Sequence, residues 1–290
     1  MRAEANGIQI EYETLGDRGA PPLVLIIGFS QQLTFWPEAF CRQLAGRGFF
    51  VVRFDNRDSG LSTQLDGKPR PVLMRIAAGN LSSLAYSIED MAADTAGLLD
   101  ALGFASAHVV GLSMGGMIAQ SLAIRHPARV RSIASIMSTT GDRSVGYATP
   151  EVMALVSRPA PAKRAAYVDH GAALWRALSG PGFPFDEAEV RARVARDYDR
   201  AFRPDGTARQ AGAIVGQLDR TADLGRVRVP AVVIHGQDDP LIHVSGGEAT
   251  ARAIPGARLV IVPGMGHDLP ERAWPAIIDA IVENARRAAS

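Results

Sequence analysis

The sequence holds one cysteine, Cys41, in 290 residues. No internal disulfide can form, so nothing in the chain marks an oxidising compartment. Cys41 lies in a stretch of helical composition with no histidine motif beside it, and it reads as a packing residue. An excess of charge of one sign is also missing. The 31 basic and 30 acidic residues leave a formal net charge of +1, which gives no electrostatic case for nucleic acid or an anionic membrane as partner. No apolar run approaches the roughly 18 residues of a membrane span. Met1 to Asn6 lack the apolar core of a signal peptide. A cytoplasmic location is the default expectation. There is no internal repeat and no low-complexity tract.

What is present is an ordinary globular composition long enough to bury about three quarters of its unfolded surface. Short apolar runs alternate with helical patterns. Ile8 to Glu13 alternates like a half-buried strand, and Leu23 to Ile27 and Phe49 to Phe54 are continuous β-favouring runs suited to burial on both faces. A helix is expected from Trp36 to Arg47. Residues 61 to about 85 have loop composition. From Ser87, which can cap a helix, Ile88, Met91, Thr95, Leu98, Leu99 and Leu102 recur at helical spacing until Gly103. A strand through Val109-Val110, a helix ending before His126-Pro127 and a strand over Val130 to Met137 follow. This order predicts an α/β fold with a mostly parallel sheet covered by helices.

The composition changes near Ser138. Residues 141–225 hold no convincing strand, are rich in Ala, Arg and Pro, and predict several short helices, for example Glu187 to Phe202. The expected organisation is a core made of residues 1–140 and 226–290, with a helical cap inserted at 141–225. The sheet pattern resumes at Val229 to Gly236. A helix (Ser245 to Ala253), a strand (Ala257 to Val262) and a last helix (Glu271 to Ala288) complete the chain.

One stretch carries chemistry. Val109-Val110-Gly111-Leu112-Ser113-Met114-Gly115-Gly116 passes from an apolar run through Gly-x-Ser-x-Gly into a helical segment. Strand, sharp turn, helix, with serine at the apex, is the nucleophile-elbow pattern. Side chains at positions 111 and 115 would clash in so tight a turn. A serine hydroxyl needs a base, and the base is best held by a third group. His267 follows the last strand in a glycine-rich loop that can carry an imidazole over the sheet edge, and it is the expected base; His243 is an alternative. The acid is expected on a neighbouring loop of the same edge. Asp239 is the leading choice, with Asp238 and Asp142 as alternatives. His235, inside an apolar run, reads as a packed residue with a satisfied ring. The backbone N–H of Met114, next after the serine, is an expected donor to an oxyanion.

Four motifs in this order resemble the α/β-hydrolase superfamily over nearly the full length of the chain. They are Gly111-x-Ser113-x-Gly115, Asp55-x-Arg57-Asp58-x-Gly60-x-Ser62, Gly236-Gln237-Asp238-Asp239-Pro240 and Gly264-Met265-Gly266-His267. Asp58, where many members have glycine, is similar to the aclacinomycin methylesterase group. The resemblance implies the order nucleophile Ser113, acid Asp239, base His267, and a second oxyanion donor from the backbone of Phe29. The chain departs from the pattern at Ile27-Gly28, where many members have His-Gly and the histidine braces the loop. Gln31 and Gln32 are polar neighbours that could brace it here. Asp55, Arg57 and Asp58 read as structural charge pairing. Trp36, Trp175, Phe183 and Phe185 are candidate pocket residues, or else core of the cap.

The expected activity is a serine hydrolase. It would cleave a small to medium hydrophobic carboxylic ester or lactone through an acyl-enzyme, with no metal or cofactor. The alternatives are a cofactor-free haloperoxidase-like perhydrolase, whose elbow also reads Gly-x-Ser-Met-Gly-Gly, a C–C bond hydrolase or lyase, and a non-catalytic, receptor-like binding protein.

Overall fold

A computed structural model describes residues 1–68 and 70–288. Eight strands form one sheet: β1 (Arg2–Ala5), β2 (Ile8–Leu15), β3 (Pro22–Ile26), β4 (Phe50–Phe54), β5 (Ala107–Leu112), β6 (Val130–Ile136), β7 (Ala231–Gly236) and β8 (Arg258–Val262). Their order is β1-β2-β4-β3-β5-β6-β7-β8. β2 pairs antiparallel with both β1 and β4, and the six strands β3 to β8 are mutually parallel.

Among the central strands, every residue of β3, β4, β5 and β7 is buried. Leu23 and Leu25 join the core on one face of the sheet; Val24 and Ile26 join the core on the other. This is the period-two alternation of a strand covered on both sides. Each such side chain contributes about 2 kcal/mol on burial.

The helices are α1 (Glu38–Gly46), α2 (Leu73–Ala77), α3 (Ile88–Ala101), α4 (Met114–Arg125), α5 (Pro150–Val156), α6 (Arg164–Leu178), α7 (Glu187–Arg200), α8 (Pro204–Val215), α9 (Thr221–Leu224), α10 (Ser245–Ala253) and α11 (Trp274–Arg286). α3 and α4 cover one face, and α1 and α11 the other. α3 starts where the sequence predicts. The Ser87 hydroxyl accepts from Asp90 N–H, and the Asp90 carboxylate accepts from Ser87 N–H, a reciprocal cap. All six residues of its predicted apolar stripe are buried.

Two local expectations change. The N-terminal segment is a strand, β1, joined to β2 by a hairpin whose turn residues Asn6 and Gly7 have φ of 50° and 75°. That Asn-Gly pair is the local signal for a tight hairpin turn. The stretch at 61–85, apart from Pro69, which lies outside the described residues, is not all loop. It carries α2, which buries Ile76.

α5 to α9 all lie between β6 and β7. Cys41 is buried, and burial pushes its thiol up to about 12, so it stays protonated at neutral pH. Among the described residues no helix is long and apolar enough to cross a membrane.

Candidate active site

The site begins at the turn between β5 and α4. Ser113 occupies the apex with φ 57° and ψ −119°, a left-handed conformation that costs on the order of 1–3 kcal/mol. The surroundings hold it there. A Cβ on Gly111 would lie 2.0 Å from the Gly115 carbonyl oxygen, and one on Gly115 would lie 2.1 Å from that of Ile26. Both glycines are demanded by backbone approach, as the motif predicts.

At the same sheet edge, the loop after β8 brings His267 over the serine, with Nε2 3.0 Å from Ser113 Oγ. The turn after β7 supplies Asp239, whose Oδ2 lies 2.7 Å from His267 Nδ1. A carboxylate only accepts, so Nδ1 carries the proton and Nε2 is free to accept from the Ser113 hydroxyl. Asp239 Oδ1 accepts from the backbone N–H of Leu241 (2.9 Å) and Ile242 (2.8 Å). Burial alone would push this carboxyl up. The facing His267, with His235 behind, outweighs burial and holds it below the usual carboxylate range. Such a chain can pass the serine proton to imidazole while the oxygen attacks an acyl carbon.

The other acids and bases face elsewhere. Asp238 Oδ2 accepts from Gly264 N–H, and Asp142 is turned to Ser144. His243 bonds Ser245 and stacks on Tyr147.

The residues 28–36 loop reaches the serine from β3. A Cβ on Gly28 would stand 3.1 Å from Ser113 Cβ, so Phe29 follows a residue in contact with the elbow. Met114 is the first residue of α4, where a backbone N–H has no partner within the helix.

Among the described residues no histidine braces this loop, and other groups do the bracing. Asn56 Nδ2 donates to the Ile27 carbonyl (2.9 Å), and the fully buried Asp55 accepts from Leu33 N–H (2.7 Å). Gln210 of α8 accepts from Ser30 N–H (2.8 Å). Gln32 donates to the Asp197 carbonyl and accepts from Arg200, tying the loop to α7. Gln31 takes part through its backbone: Ser59 Oγ donates to its carbonyl.

The sequence profile of the alpha/beta hydrolase fold matches residues 21–271. The chain belongs to that family. It is similar to the rhodomycin D methylesterase of Streptomyces peucetius, 30% identical over 95% of this chain and 94% of the relative. It is also similar to a bifunctional esterase/perhydrolase of Acinetobacter calcoaceticus, 26% identical over 91% of each chain. Among solved structures, the enol-lactonase of Burkholderia xenovorans LB400 superposes with a TM-score of 0.78 at 26% identity, covering 99% of this chain and all of that one.

Within this family member, the charge cluster after β4 is structural, as the sequence reading has it. Arg57 pairs with Asp94 through two bonds of 2.6 Å, and Arg200 pairs with Asp55 at 2.8 Å. Arg209 pairs with Asp58 through two bonds of 2.7 Å.

The aromatic candidates scatter. Trp36 is fully buried and stacked on Phe40. Trp175 stacks on Phe35, with the Arg193 guanidinium 4.5 Å from its ring. Phe185 lies under Arg176, and Phe183 packs against the core at its edge.

One contact escaped the sequence reading. Residues 178–182, at the end of α6, lie directly on the His267 loop. His267 N–H donates to the Leu178 carbonyl (2.7 Å), and Gly182 N–H to the Gly264 carbonyl (2.9 Å). A Cβ on Gly180 would stand 2.2 Å from Gly264 O and 2.3 Å from Gly266 N. The Gly180-Pro181-Gly182 sequence was the available signal, but nothing local names its partner.

Gly180→Ala is therefore expected to destabilise the fold by about 1–3 kcal/mol. It is also expected to lower kcat of ester hydrolysis, because the collision is with backbone that carries His267. Thermal denaturation together with steady-state kinetics checks this; a variant with wild-type kcat and Tm would show that the contact is slack.

Proposed function

We propose that this protein is a serine hydrolase acting on a small to medium, hydrophobic carboxylic ester or lactone through an acyl-enzyme intermediate. The coarser statement, a hydrolase acting on ester bonds, rests on the family and on relatives named as a methylesterase, an esterase/perhydrolase and an enol-lactonase. The observation that carries the finer one is the unbroken bond chain from Ser113 Oγ through His267 to Asp239, with distances of 3.0 and 2.7 Å.

In this reading Ser113 attacks the acyl carbon and His267 takes its proton. The imidazolium then protonates the departing alkoxide, while Asp239 holds the ring and balances its charge. Water repeats the sequence on the acyl-enzyme. Negative charge on the former carbonyl oxygen meets the N–H groups of Phe29 and Met114, each worth on the order of 3 kcal/mol in the transition state. No metal or organic cofactor enters.

Residues 141–225 act as a cap, with the core at 1–140 and 226–290. Phe183, one residue beyond the Gly182 contact with the His267 loop, is the aromatic residue we assign to substrate. A peracid-forming reaction on the same three residues is the second reading, favoured by the esterase/perhydrolase relative.

Treatment with a fluorophosphonate, followed by peptide mass spectrometry, tests the nucleophile. Label is expected on the Ser113 peptide, together with hydrolysis of short-chain nitrophenyl esters or lactones. Peracid formation from acetate and peroxide separates the second reading. An unlabelled Ser113 in folded protein that hydrolyses no ester of the panel overturns the proposal.

A further inference from the structure

His235 is the penultimate residue of β7 and is completely buried. The sequence reading gives it a satisfied ring, but only half of the ring is satisfied. Nε2 lies 2.8 Å from the Ile242 carbonyl oxygen. A carbonyl only accepts, so Nε2 carries the proton and Nδ1 is a bare acceptor. Among the described residues Nδ1 has no hydrogen-bond partner. α10 closes over it so tightly that a Cβ on Gly247 would stand 2.3 Å from Nδ1.

A buried acceptor without a partner is unfavourable, and an apolar side chain of similar size would avoid that penalty. Packing alone therefore does not account for an imidazole here. The reason lies on its other side. The Nε2–H also faces Asp239 Oδ2 at 3.5 Å, the same oxygen that takes the His267 proton donor at 2.7 Å. The turn after β7 is thus held twice. Ile242 N–H donates to Asp239, and the Ile242 carbonyl accepts from His235.

We propose that His235 is a positioning residue for Asp239: its Nε2–H locks the residue 239–242 turn and draws on the carboxylate charge that faces His267. The proposal rests on the Ser113–His267–Asp239 reading above. The titratable group that faces the ring is Asp239 in its own turn, which in turn faces His267 from the loop after β8; Asp268, next to His267, interacts with His267 and Ser179. Asp238 is turned to Gly264 N–H, and α10 presents the Gly247 backbone. A donor that withdraws charge from Asp239 weakens its hold on the His267 cation. Removing the donor strengthens that hold, so the acidic limb of kcat/KM must move to higher pH.

The test compares wild type with His235→Leu, His235→Gln and His235→Asn on a nitrophenyl ester across pH. Fluorophosphonate labelling and Tm are measured in parallel. The Leu variant is expected to lose about tenfold in kcat, the loss from one hydrogen bond to a charged group, with KM little changed. Its acidic limb should rise by roughly half a pH unit. The Gln amide reaches the Nε2 position and should restore both; the Asn amide reaches only the Nδ1 position and should not. Where the Leu variant does not fold, the Gln and Asn pair carries the comparison.

An unmoved acidic limb in Leu and Asn, or Gln no better than Asn, overturns the role of His235. Failure of the triad reading is distinct: wild-type Ser113 would then take no label, whatever the His235 variants do.

Discussion

Ser113→Ala is expected to lower kcat/KM for ester hydrolysis by about 10³–10⁶-fold. On the proposed mechanism, removing the hydroxyl removes the nucleophile, and His267 is left with nothing to deprotonate except water. What survives comes from binding and from backbone donors near Phe29 and Met114. Combining Ser113→Ala with His267→Ala should cost little beyond the single change, because groups that act as one unit do not lose activity additively. The fold should survive. The Ser113 backbone is held in its left-handed conformation by the close approach of Gly111, Gly115 and the end of β3, and the serine side chain adds one bond, to His267. Single-turnover kinetics and thermal denaturation of the single and double variants check this. Residual activity within tenfold of wild type would exclude Ser113 as nucleophile.

Arg209→Ala is expected to be the most destabilising of the charge changes, by about 3–5 kcal/mol. Asp58 and Arg209 sit at 0% and 3% side-chain exposure, bonded twice at 2.7 Å. Truncating the arginine strands a buried carboxylate without its paired cation, with the Leu65 N–H still donating to it. Asp58 also adopts φ 65°, a conformation that suits glycine. The double change Asp58→Gly with Arg209→Met removes the charge, relieves the backbone and keeps an apolar stem. It should recover most of the lost stability, since an ion pair replaced by apolar groups is often neutral or better. Denaturant titration of the single and double variants measures both effects. A double variant no more stable than Arg209→Ala would show that the ion pair itself, not the stranded charge, sets the stability. The partners are 151 positions apart and join the loop after β4 to α8, so Arg209→Ala should also loosen the segment that carries Gln210, a brace of the residue 28–36 loop.

Much of this architecture is legible from local signals. The Ser87–Asp90 cap, the Gly103 stop at φ 76° and the extent of α10 follow from neighbours within a turn or two. The elbow glycines are legible for the same reason: the backbone they accommodate lies in the motif itself or at the end of one adjacent strand. β1 was missed although its Asn6-Gly7 turn is a local signal, because Arg2–Ala5 is short and polar and gains its partner only by pairing with β2.

Sequence alone determined the fold class, the elbow serine and the histidine loop, because apolar periodicity and turn chemistry are written in consecutive residues. Tertiary structure decided which carboxylate meets His267. Asp238 and Asp239 are adjacent, and only the direction of the turn after β7 sends one to Gly264 N–H and the other to Nδ1. It also decided that Asn56, Asp55, Gln32 and Gln210 hold the loop that lacks a bracing histidine, that the Gly180–Gly182 segment seats the His267 backbone, and that His235 stands behind Asp239. Apart from His235 and Asp239, which are four positions apart and meet through the turn after β7, each of these depends on side chains or backbone from distant segments meeting within 4 Å, and periodicity carries no record of such meetings.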